Sequence, residues 1–121
     1  MNKIELENRL VGFSVNLTEW VTKKPKHPAI IHLKDQIVRS ATSAALNYGE
    51  VQSAESHKDF IHKVGVVMKE LRETHINLKI ISKLEISKND ETIADLLKEN
   101  DELLAIFHKT LQTARKNLTN K

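Results

Sequence analysis

The chain has 121 residues, with 3 Gly, 2 Pro and no Cys, which allows one hydrophobic core and is too short for two. The absence of cysteine excludes disulfides and thiolate metal sites and fits a reducing compartment. The net charge is +3, from 19 Lys plus Arg against 16 Asp plus Glu, and the placement of the cations says more than that sum.

Aromatic residues make up only 4% of the chain, and Leu, Ile, Ala, Lys and Glu dominate, a bias toward helix. The opening residues Met1-Asn2-Lys3-Ile4-Glu5-Leu6-Glu7 are charged and hold no apolar signal core. No stretch approaches the roughly 18 apolar residues of a membrane span. A soluble cytoplasmic protein is the expectation.

The first predicted helix covers residues 3–23. Leu6, Leu10, Phe13, Leu17, Trp20 and Val21 recur at steps of three and four, one buried stripe. Lys24-Pro25-Lys26-His27-Pro28 closes it: Pro25 disfavours helical geometry at Lys24, and Pro28 suits the first turn of the next helix.

The second predicted helix, residues 28–51, places Ile30, Leu33, Ile37, Ser40, Ala44, Asn47 and Val51 on one stripe. Val38, Ala41, Ala45 and Leu46 lie beside or opposite it. Too many of its faces are apolar for a helix with one wet side, which points to an oligomer. Arg39, Ser43, Asn47 and Glu50 share a ridge, with Ser40 next to it. These five residues read as a structural or assembly motif, a polar seam bonded across to the third helix at Glu70, Glu73 or Thr74.

Gln52-Ser53 supplies a turn, with Ser53 as the expected cap. The third predicted helix, residues 54–86, is roughly 50 Å long at 1.5 Å per residue. Its stripe is Phe60, Val64, Val67, Leu71, Thr74, Leu78 and Ile81, and close packing is the expected reason for Gly65 within it. Ser87-Lys88-Asn89-Asp90 turns the chain into the fourth predicted helix, residues 90–118, with Ile93, Leu97, Asn100, Leu104, Phe107, Leu111, Ala114 and Leu118 inward. Short turns between long helices predict a single all-α domain over residues 1–121, an antiparallel up-down-up-down four-helix bundle.

Chemistry is sparse. Bundles that hold di-iron sites use Glu-x-x-His pairs, and this chain has none; Arg72 stands three before His75. His57 and His62 are five apart, the wrong spacing for one helical face. Ser40 and Ser43 lack a supporting base, and the three glycines are far apart at Gly12, Gly49 and Gly65, so no phosphate loop exists. No catalytic residue, metal ligand or cofactor site is expected. Two basic clusters remain. Lys23, Lys24, Lys26 and Lys34 surround Pro25 and Pro28, while Lys109, Arg115, Lys116 and Lys121 follow the last acid, Glu102. Lys23, Lys24, Lys26, Lys109, Arg115 and Lys116 are the candidate phosphate contacts for RNA or DNA. In the predicted topology they fall at opposite ends of the bundle.

Residues 36–43, Gln-Ile-Val-Arg-Ser-Ala-Thr-Ser, then Asn47 to Glu50, residues 54–63 and residues 69–74 together resemble the bacterial 23S ribosomal-RNA intervening-sequence protein family. The resemblance implies a four-helix bundle that is not a core ribosomal component and that assembles as a homopentamer. Its fold is also similar to the accessory protein of diversity-generating retroelements, a basic pentamer that binds nucleic acid and a reverse transcriptase. The expected function is a non-enzymatic oligomeric scaffold that binds RNA or DNA through its basic ends. The alternative is an oligomeric module that binds a partner protein and has no nucleic-acid role.

Overall fold

Four helices and one 3-10 turn make up residues 1–119, which the computed structural model describes. The helices are α1 (Lys3–Thr22), α2 (Pro28–Val51), α3 (His57–Ser82) and α4 (Thr92–Thr119), with the 3-10 turn at Glu85–Ser87. Side-chain caps fix where they start. Asn2 accepts from the Glu5 N–H at 2.8 Å while Glu5 reaches back to the Asn2 N–H, a reciprocal capping box. Pro28 occupies the first turn of α2, and His27 Nδ1 accepts from the Ala29 N–H at 3.1 Å.

The third helix is shorter than the sequence predicts. The Ser53 and Ala54 N–H groups bond the Glu50 and Val51 carbonyls, so the end of α2 is still winding down there. The helix restarts only at Ser56, whose hydroxyl accepts from the Asp59 N–H at 3.0 Å. At the other end the Lys83 and Leu84 N–H groups bond carbonyls three residues back, which tightens and stops the helix.

Bonds between helices give the topology. Arg9 of α1 meets Glu99 of α4, and Trp20 of α1 meets Asp90 in the turn just before α4, so the two helices run antiparallel. Ser14 of α1 donates to the Ala41 carbonyl of α2, Ser40 of α2 meets Thr74 of α3, and His75 and His57 of α3 meet Asp101 and the Ala114 carbonyl of α4. The fold is an all-α four-helix bundle in which α1 touches α2 and α4 and lies diagonally from α3.

The core is built from Leu, Ile, Val and Phe on all four helices, with Leu17, Ile37, Leu71, Leu78, Ile81 and Leu103 fully enclosed. In α2 the buried stripe passes through Ala44 and Tyr48 rather than Asn47, which is only half-buried. A straight helix drifts by about 20° per heptad, and Tyr48 takes the inward place against Phe107, ring edge to face at 5.4 Å. In α4 Leu96 and Leu103 are buried and Leu97 and Leu104 half-buried alongside them, a stripe broader than one heptad row.

Polar groups interrupt the core at its middle. The Ser40 and Thr74 hydroxyls are 2.7 Å apart, and Thr74 also donates to the Glu70 carbonyl at 2.9 Å. Asn100 is fully buried, and neither amide atom has a hydrogen-bond partner among the described residues.

Gly65 departs from expectation. A Cβ built there meets nothing within 4 Å, so close packing inside the protomer does not require glycine. Gly65→Ala should therefore raise the unfolding free energy by about 1 kcal/mol, the helix-propensity difference. Urea titration of the two proteins checks this, and a loss of stability would mean that something seats on that face.

Candidate functional site

The turn after α1 and the turn before α4 share one end of the bundle, and Lys24 joins them. Its ammonium pairs with the Asp90 carboxylate, donates to Ser87 Oγ at 3.1 Å and lies 5.1 Å from the centre of the Trp20 ring. The Trp20 indole N–H donates to the same carboxylate at 2.7 Å. Only 6% of the Lys24 side chain is exposed. Lys24 is thus not the solvent-facing phosphate contact that the sequence suggests; it is spent inside the protein, while Lys23 and Lys26 remain exposed.

Burial alone would push the Asp90 carboxyl up. The hydrogen bonds from Lys24 and Trp20, the Lys24 charge and the Thr92 N–H outweigh it and hold this group below the ordinary carboxylate value.

Lys109, Arg115 and Lys116 are exposed on the last turns of α4, at the opposite end. His57 Nε2 lies 2.6 Å from the Ala114 carbonyl, which places the start of α3 beside them. The two predicted basic clusters are thus not brought together in one protomer. Lys121 lies outside the described residues.

The polar ridge of α2 divides in two. Arg39 spans to α3, bonding Glu70 at 3.2 Å and Glu73 at 2.8 Å, and Ser40 bonds Thr74. The Glu73 hydrogen bond and the Glu70 charge raise the Arg39 guanidinium above its ordinary value. Asn47 instead donates to the Ser43 carbonyl at 2.8 Å within its own helix, and Glu50 is exposed. Arg39 and Ser40 form the seam expected of the motif; Ser43, Asn47 and Glu50 do not reach α3.

Beyond these, the surface offers two clefts of note. One, about 610 Å³, opens between α1 and α4 beside Arg9, Phe13, Asn16 and Glu99. The other, about 620 Å³, lies between α2 and α3 beside Arg39, Lys69, Arg72, Glu73 and Ile76. No group of three or more His, Cys, Asp or Glu among the described residues is placed to hold a metal ion. No described helix is long and apolar enough to cross a membrane.

A row of cations on the outer side of α3, Lys58, Lys69, Arg72 and Lys79, escaped the sequence reading. All four are exposed. Their spacing was the available signal, but the acids interspersed with them hid it.

Similarity to known proteins accords with this arrangement. The family model described as 23S rRNA-intervening sequence protein matches residues 3–109. The chain belongs to that family. The match takes in the whole of α1, α2 and α3 and most of α4. Among solved structures, the chain is similar to a protein with unknown function from the S23 ribosomal protein family of Bacteroides thetaiotaomicron VPI-5482. The two share 22% identity and a TM-score of 0.80, over 93% of this chain and 99% of that one. At this identity the likeness speaks for the fold. No curated protein matches the chain.

Proposed function

We propose that this family member is a non-enzymatic scaffold that assembles with copies of itself through the outer face of α1 and α2, forming a pentamer, and that contacts RNA or DNA through surface cations. The observation that supports assembly is a run of exposed apolar side chains across those two helices. Ile4, Val11 and Val15 on α1 are 70%, 47% and 48% exposed, and Ile31 and Leu46 on α2 are 57% and 72% exposed. Val38 and Ala45 are half-buried beside them, Asn8, Thr18, Thr42 and Gly49 add no charge, and Asp35 is an exposed charge between Ile31 and Val38. Apolar side chains exposed together along neighbouring helices mark an interaction site more often than singly scattered ones do. Closed symmetric assembly repeats each surface cation, so modest clusters gain affinity by multivalency.

The test is molar mass in solution for the wild type and for Val15→Glu/Leu46→Glu. The wild type is expected to be an oligomer of five, and the variant a monomer with its helical circular dichroism intact. A monomeric wild type at micromolar concentration would end the assembly reading. The alternative, a protein-interaction module with no nucleic-acid role, predicts no RNA or DNA binding even at low salt, where phosphate contacts are strongest.

A further inference from the structure

We infer that the outer side of α3, rather than either end of the bundle, is where a nucleic-acid duplex lies. This rests on the nucleic-acid half of the function proposed above and assigns it a surface. Lys58, Lys69, Arg72 and Lys79 are exposed along this helix, with Lys83 following at its C-cap. None of the five has an ion-pair partner among the described residues.

The acids of the same helix are otherwise engaged. Asp59 pairs with Lys63 at 3.2 Å and accepts from the Glu55 N–H at 3.1 Å. Glu70 and Glu73 both bind Arg39 across the seam, and Glu70 is buried. Arg39, itself 57% exposed, therefore offsets one of the two carboxylate charges that would otherwise act against Lys69 and Arg72. The charge that reaches solvent on the outer side of α3 is net positive, with Ile76 and Ile80 exposed among the cations. The α2–α3 cleft beside Arg39, Lys69 and Arg72 gives it a concave edge, with Glu73 as its one carboxylate.

Geometry favours a duplex over a single strand. From Lys58 to Lys79 the row runs about 32 Å at 1.5 Å per residue, close to the roughly 34 Å of one duplex turn. Between Lys58 and Lys69 lies a gap of about 16 Å in which Gly65 faces open space. A straight rod laid on a duplex meets phosphates on either side of a groove about 12 Å wide, which matches unpaired lysines flanking a stretch whose one lysine, Lys63, is paired with Asp59. Single-strand binders need aromatic platforms. Here Phe13, Trp20, Tyr48 and Phe107 are buried and Phe60 is half-buried, so no ring is available to stack on bases. The α3 side also lies diagonally across the bundle from α1, so assembly through α1 and α2 leaves it open.

The experiment compares two variants that each remove four charges. One carries Lys58→Gln, Lys69→Gln, Arg72→Gln and Lys79→Gln; the other carries Lys23→Gln, Lys26→Gln, Lys109→Gln and Lys116→Gln. Binding to duplex DNA, duplex RNA and single strands of matched length is measured across a salt series, with circular dichroism and molar mass as controls for fold and assembly. The α3 variant is expected to bind either duplex at least ten-fold more weakly. Its dependence of log affinity on log salt should flatten by about 0.9 for each lost phosphate contact, and the end variant should change much less. A preference between the DNA and RNA arms names the natural duplex. If the wild type binds duplex but the α3 variant binds as well, or the end variant loses as much, the assignment to α3 is wrong while nucleic-acid binding stands. Should the wild type bind no nucleic acid at low salt, or bind only phosphatidylserine vesicles, both the assignment and the nucleic-acid reading fall.

Discussion

Replacing Asp90 with alanine is expected to lower the unfolding free energy by about 3 kcal/mol, the scale for breaking an enclosed ion pair by removing one partner. The substitution leaves the Lys24 ammonium, 6% exposed, with only the Ser87 hydroxyl and the Trp20 ring for company. It also strips the Trp20 indole N–H of its acceptor and the Thr92 N–H of its cap. Lys24→Met should cost less, about 1 kcal/mol, because Asp90 keeps the Trp20 and Thr92 bonds and an exposed edge, and the apolar stem is retained. Urea unfolding of the three proteins at neutral pH checks the order, and equal costs for the two variants would refute it.

Acid gives an independent readout of the same corner. The carboxyl of Asp90 is held below its ordinary value in the folded protein. Its contribution to stability is therefore fully present above the unfolded value of about 3.9 and is lost as pH falls through the lower, folded value. The wild type should lose stability over that window more steeply than Asp90→Ala, and the two curves should converge at the acid end.

Asn100→Leu is expected to act in the opposite direction and stabilise the bundle by about 1 to 3 kcal/mol, the cost of leaving buried polar atoms unbonded. Asn100 is fully enclosed with both amide atoms unpartnered among the described residues, and leucine is a near match in size. Buried polar side chains in bundles trade stability for a defined register, so natural selection tolerates what thermodynamics disfavours. Guanidinium titration is the check. A loss of more than about 1 kcal/mol, the lower bound of the expected gain, would show that the amide makes bonds of real value.

Most of the fold could be read from spacing. The buried apolar side chains of α1 are legible residue by residue, because Leu6, Leu10, Phe13, Leu17 and Trp20 recur at steps of three and four, whereas buried Ser14 is not. The starts and stops of α3 were less legible. Ser53 and Ser56 are both capable caps, and the choice depends on how far the last turn of α2 unwinds, a property of two helices at once. Lys24 was misplaced for a similar reason. Its partners, Ser87 and Asp90, are more than sixty residues away, and no local pattern connects them. The charge of α3 was hidden by arithmetic. Residues 41–80 contain five cations and five acids, yet Arg39, from outside that window, binds Glu70 and Glu73 and leaves the surface balance positive.

The cleft between α1 and α4 has a consequence for how the molecule breathes. These helices are joined by Arg9 with Glu99 and, through the turn before α4, by Trp20 with Asp90, and the cleft of about 610 Å³ runs alongside Arg9, Trp20 and Glu99. The seam between α2 and α3 has a surface cleft of similar volume, but it is the most extensively packed of the helix seams, and that of α1 with α4 the least; buried hydroxyls and a guanidinium bridge join α2 to α3. Local opening proceeds from the seam with least packing, so α1 is the stave that lifts first. The same helix carries Ile4, Val11 and Val15 outward. A neighbouring copy packed on those residues would clamp the loosest part of the protomer, so the pairing of subunits and the rigidity of each subunit would rise and fall together.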